Sequence, residues 1–184
     1  MAVLLLAAIL AGCGEDDGPT KPPAPVAPTY PMRSTPQNAL ESLRLAYQAR
    51  DSVETDSVYH VDYHGESSTA IDPIGSLIEF TKSEEVGHVG ALRKNPSVTN
   101  IVVNLGTSTS WQRGASLDVS HPEWASITIS NGIRVELAVG PELYTVGNDD
   151  FFEYHFAPTT PAPSSPTDTL WQVVRWREIK GAGS

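Results

Sequence analysis

The chain has 184 residues, with 12 basic and 22 acidic side chains and a formal net charge of −10. That acidity repels phosphate backbones and anionic lipid headgroups, so it argues against nucleic-acid binding. One cysteine permits no intramolecular disulfide and no thiolate metal cluster, so the core must hold by packing alone.

Ala2 to Ala11 is an uninterrupted apolar run. It is too short for a membrane-spanning helix, which takes roughly 20 residues, and has the length of a signal-peptide core. Leu10-Ala11-Gly12-Cys13 then has the pattern at which a bacterial lipoprotein leader is cut and the cysteine acylated. Residues 1–12 are therefore expected to be removed and Cys13 to be lipidated. The protein is expected to sit in a bacterial cell envelope, facing the periplasm or the surface, held to the membrane by its N-terminal lipid. Two or more acyl chains make such an anchor stable. Residues 13–33 carry the lipidated Cys13 and a proline-rich tether that favours extended conformations. Residues 34–184 are expected to form one domain.

Thr35-Pro36 places an N-cap before a proline at the first helical position. Leu40, Leu43 and Tyr47 recur at helical spacing, which predicts a helix from Pro36 to Arg50. Asp51 to Val58 suits a short second helix, and Val61 to Thr69 reads as a strand. Ser76 to Phe80 is a short apolar run. Thr81-Lys82-Ser83-Glu84 is a capping box that opens a helix to about Lys94, before Pro96 stops it.

Beyond Ser97 the period changes to two. Ile101, Val103 and Leu105 alternate with polar or second-face residues. So do Ala125, Ile127 and Ile129; Ile133, Val135, Leu137 and Val139; and Phe152, Tyr154 and Phe156. A three-residue loop, Ser130-Asn131-Gly132, is expected to pair Ile129 with Ile133; a kinked continuous strand is the alternative. Pro158 to Pro166 reads as an exposed connection. Leu170 to Ile179 is apolar on both faces, with Trp171 and Val173 on one and Leu170, Val174 and Trp176 on the other. Such a strand belongs inside a sheet.

Thr35-Pro36-Gln37-Asn38-Ala39-Leu40, Ala46-Tyr47-Gln48-Ala49-Arg50-Asp51 and Leu170-Trp171-Gln172-Val173-Val174-Arg175-Trp176 resemble the NTF2-like (SnoaL-like) superfamily. Uncharacterised bacterial lipoproteins of that type look nearest. The resemblance covers Thr35 to Ile179. It implies an α+β cone: a strongly curved mixed sheet packed on N-terminal helices, with a concave pocket. That fold hosts acid/base enzymes and non-catalytic binders alike, so it does not choose a function.

The densest polar cluster is Tyr59-His60-Val61-Asp62-Tyr63-His64. In a strand His60, Asp62 and His64 share a face, a plausible set for a metal or for acid/base work. Alternate Cα atoms there lie about 7 Å apart, so a polar junction is the preferred reading and no metal is expected. Asp62, His64, Glu153 and His155 are the catalytic candidates. Glu153 and His155 form an acid/base pair if their face lines the concavity, and an ordinary polar face if it meets solvent. Tyr63, Trp111 and Trp124 are the ligand-binding candidates, the tryptophans as a pocket rim or a contact surface. No Gly-rich phosphate loop, Gly-x-Ser-x-Gly elbow or cysteine nucleophile is present, and no cofactor is expected.

Three functions follow. The first is a non-catalytic, envelope-anchored domain binding a small ligand or an envelope protein. The second is a SnoaL-type hydrolase, dehydratase or isomerase. The third is a structural component of an envelope complex, for instance a homodimer through the open sheet face.

Overall fold

A computed structural model of the chain describes residues 28–68, 77–106, 111–116, 118–130, 133–146, 151–159 and 169–179. The leader, Cys13 and most of the tether lie outside them. Helix α1 (Pro36–Ala49) starts as its sequence directs, with the Thr35 hydroxyl accepting from the Asn38 N–H at 3.1 Å. It ends at Arg50, which adopts the left-handed region at φ 56°. That conformation costs a non-glycine residue roughly 1 kcal/mol. Arg50 Nη1 donates to the Val98 carbonyl at 2.7 Å, a contact no glycine would make. Asp51 caps α2 (Ser52–Val58), accepting from Val53 and Glu54 N–H. The predicted capping box is complete at α3 (Lys82–Lys94).

The strands are β1 (Tyr59–Ser68), β2 (Leu77–Thr81), β3 (Val98–Leu105), β4 (Gln112–Ala115), β5 (Ala125–Ser130), β6 (Ile133–Val139), β7 (Glu142–Val146), β8 (Phe151–Thr159) and β9 (Leu170–Ile179). Six form a sheet in the order β2-β1-β9-β8-β5-β4, and three form a second in the order β3-β6-β7. Among the described residues only β1 and β9 pair in parallel. Helix α1 packs across β3, β5 and β9, while α3 rests on β1 and β2. This is the expected α+β cone of helices against a curved mixed sheet. Phe156, Leu40, Ile127 and Ile129 are fully buried in its core, each contributing about 2–3 kcal/mol.

Two local expectations are corrected. The 130–132 hairpin does not form: Ile129 pairs with Phe152, and Val135 pairs with Val103 and Val146. The chain passes from one sheet to the other between β5 and β6, so long-range burial decides the pairing. Asn131 and Gly132 themselves lie outside the described residues.

The faces of β9 also differ. His155 pairs with Arg175 but Phe156 pairs with Val173, leaving Val174 as the extra residue of a β-bulge. Val173 and Trp176 thus both face the main core, and Val174 packs with Trp124 and Ala157 on the other side.

Tyr30 to Arg33, grouped above with the tether, make hydrogen bonds to the helices and to β9. Tyr30 donates to Asp51, Ser42 Oγ to the Pro31 carbonyl and the Trp171 N–H to the Arg33 carbonyl.

Candidate functional site

Helices α1 and α3 and the concave faces of both sheets line a partly open cavity of about 210 Å³. It exceeds the roughly 150 Å³ of an engineered apolar cavity known to take up benzene. Leu40 and Leu43 of α1 and Val103 and Leu105 of β3 supply an aliphatic wall. The rings of Tyr47, Tyr59, Phe152, Tyr154 and Trp176 supply an aromatic one. The bulge at Val174 is what turns Trp176 inward, opposite Tyr154. Three polar side chains interrupt these walls: Arg44, Glu85 and Glu178.

Glu85 is the chemically unusual one. It belongs to the buried stripe Glu85, Val89, Leu92 of α3, so helical geometry carries a carboxyl into the core. The Tyr63 hydroxyl donates to its Oε1 at 3.5 Å. Burial pushes the Glu85 carboxyl up to about 7, since its charged form loses water; the Tyr63 bond offsets part of this and the Glu84 charge adds to it. Burial likewise raises the phenols of Tyr47, Tyr59, Tyr63 and Tyr154, and the Glu85 charge raises them further. They stay protonated, and the Tyr63 hydroxyl is the one that donates to Glu85. Tyr63 reaches Glu85 across Gly65, where a Cβ would stand only 2.5 Å from the Tyr63 hydroxyl and 3.2 Å from Trp176 Cε3.

Arg44 is engaged at the cavity edge. Its Nε and Nη2 donate to the two oxygens of Glu41 at 2.8 and 2.6 Å, and its Nη1 to Gln48 and, at 3.3 Å, to the Val103 carbonyl. Glu178 accepts from the Ser67 hydroxyl.

No family model matches this sequence, and the search of curated proteins finds no relative. Solved structures do match. An NTF2-like protein with a cystatin-like fold from Novosphingobium aromaticivorans shares 12% identity, over 80% of each chain, with a TM-score of 0.51. The fold is NTF2-like. An NTF2-like protein of unknown function in nutrient uptake from Rhodospirillum rubrum aligns at 12% identity, over 77% of this chain and 94% of its own, with a TM-score of 0.48. One from Cytophaga hutchinsonii aligns at 11%, over 78% and 93%, at 0.47.

The NTF2-like frame separates the residues singled out in the sequence. Tyr63 stands behind the cavity as the donor to Glu85. Trp111 is no rim: it is buried in the core, and its Nε1 donates to the Leu105 carbonyl at 2.8 Å. The Asp62 side chain is exposed and lies 3.6 Å from His60, and its backbone carbonyl accepts from Arg175 at 2.9 Å. His60, Asp62 and His64 therefore do not converge, and among the described residues no group of three or more His, Cys, Asp or Glu is placed to hold a metal ion.

His64, Glu153, His155 and Trp124 do come together, but on the opposite face of the sheet. With Glu66, Asp118, Arg175, Trp176 and Arg177 they line a second, more polar cavity of about 280 Å³. Because Phe152, Tyr154 and Phe156 face inward, Glu153 and His155 must face out. The charges there largely satisfy one another. His155 Nε2 lies 3.4 Å from Glu153, His64 Nε2 lies 3.4 Å from Glu66, and Arg177 donates to Glu66 at 3.1 Å. Trp124 has one face stacked on His121, centroids 4.1 Å apart, and Arg175 5.5 Å from its ring centroid. His155 Nδ1 is the one buried side-chain nitrogen or oxygen among the described residues without a hydrogen-bond partner.

Sequence reasoning missed Glu85. The signal was present: a carboxylate four residues before Val89 and seven before Leu92, on the apolar edge of a helix. A charged residue on that face is either paired or functional.

Proposed function

We propose that this NTF2-like domain is a non-catalytic binding module that holds a small ligand in its cone cavity. The observation that carries the reading is the lining: extended apolar and aromatic walls with a few convergent polar groups, the pattern of a ligand pocket. The His–Glu pairs that would serve acid/base chemistry lie outside it. A library of single-ring compounds should contain members that raise the unfolding temperature. Val135→Trp, which fills the cavity from β6, should abolish that rise while unfolding cooperatively on its own. Loss of no ligand's effect in that variant would sink the reading.

The module is further proposed to be displayed on the bacterial envelope by the lipid on Cys13, with the proline-rich segment as spacer. The Leu10-Ala11-Gly12-Cys13 pattern and the apolar run before it support this. Cys13→Ser should move the protein from the membrane to the soluble fraction, and a variant still pelleting with membranes would contradict the anchor.

One observation favours an enzyme as the second reading. Glu85, near 7 and accepting from the Tyr63 hydroxyl, has the properties of a general base. It would take the role that the sequence offered to Asp62, His64 or His155. A ligand recovered unchanged after long incubation supports the binding module; conversion that disappears in Glu85→Gln supports the enzyme.

A further inference from the structure

We infer that the cone cavity selects a small organic cation, its amine or quaternary ammonium group seated against Glu85 within the walls of Tyr47, Tyr59, Phe152, Tyr154 and Trp176. This rests on the reading of the cavity as a ligand site and names the chemistry of the ligand.

Three features point the same way. First, Glu85 is a buried carboxyl that no ion pair reaches among the described residues; its one side-chain bond is the long contact from Tyr63. A carboxylate withdrawn from water is compensated by a cation with direct access to it, and the cavity provides that access. Second, five aromatic rings surround the space. Ring faces attract cations through their quadrupoles, most strongly where water is excluded, which is how aromatic cages recognise quaternary ammonium groups. Third, a second carboxylate, Glu178, lines the same cavity, and the formal net charge of −10 draws cations toward the protein.

The one cation in the lining, Arg44, does not reverse this preference. Both Glu41 oxygens, Gln48 and the Val103 carbonyl already occupy its guanidinium donors. An anionic ligand would have to displace Glu41 while facing Glu85 and Glu178. A neutral ligand would use the rings and leave the buried carboxylate without a counter-charge.

The test compares shape-matched pairs differing in charge: choline against 3,3-dimethylbutan-1-ol, and benzylammonium against benzyl alcohol. Binding of each to the purified protein is measured by calorimetry at pH 8. At least one cation is expected to bind tenfold or more tightly than its neutral counterpart, and Glu85→Gln is expected to erase that preference while keeping the affinity for the neutral compound. Equal affinity within both pairs overturns the cation inference and leaves the cavity reading intact. Binding by none of the four overturns both. A preference that survives in Glu85→Gln overturns the assignment of Glu85 as the group the cation meets.

Discussion

A chain ending at Thr169 does not fold. Strand β9 lies between β1 and β8 and pairs with both along most of its length. Without it the larger sheet divides into β2-β1 and β8-β5-β4. The loss includes the buried side chains of Val173 and Val174, the partly buried Trp171 and Trp176, and the Trp171 N–H bond that fixes Arg33. Buried side chains of this size contribute roughly 1.5–3 kcal/mol each, so their sum reaches the whole stability of a typical domain, about 5–15 kcal/mol. The expected result is a far-ultraviolet circular dichroism spectrum without sheet signal and no cooperative thermal transition. A cooperative transition in the truncated chain would contradict the central place given to β9.

Glu85→Gln stabilises the protein by about 3 kcal/mol at pH 8 and changes nothing at pH 4. The Glu85 carboxyl titrates near 7 in the folded chain, against its ordinary 4.5, and that difference corresponds to about 3 kcal/mol. The sign follows from proton binding. Below pH 4.5 both states hold the proton and Glu85 costs nothing. Between 4.5 and 7 the unfolded chain releases it while the folded chain keeps it, so stability falls as pH rises. Above 7 the buried charge persists at full cost. Gln has the same shape, cannot ionise and still accepts from Tyr63. Urea unfolding at the two pH values measures the effect. Equal stability of the two proteins at pH 8 would mean that Glu85 is not confined as described. A carboxyl that weakens the empty fold is what a binding site built for a charged partner entails.

Much of the architecture was legible in the chain because local rules and the fold agree. Thr35-Pro36 and the Thr81–Glu84 box open helices where they should, and the alternation through Ile101, Ile127 and Phe152 marks buried strand faces. Features set by distant partners were not legible. Asn131-Gly132 suggests a local turn, yet Ile129 is buried against Phe152, in a strand that comes later. The bulge at Val174 breaks no sequence pattern, because β9 is apolar on both faces, and only pairing with Phe156 and His155 reveals it. That single extra residue carries Trp176 to the cavity.

The site divides in the same way. His64 and His155 lie far apart in sequence, and their approach depends on β9 joining β1 in parallel to β8. Glu85, by contrast, was within reach of helical periodicity alone. Reading polar residues only as clusters passes over one carboxyl placed by itself on an apolar face.

The most direct measurement is the titration of the Glu85 carboxyl carbon by 13C NMR, with and without a saturating concentration of the tighter-binding of choline and benzylammonium. The account predicts a midpoint near 7 for the protein alone and a clear downward shift with that cation, because a bound cation favours the charged carboxylate. A midpoint already at the ordinary value without ligand, or one that the bound cation leaves in place, would contradict it.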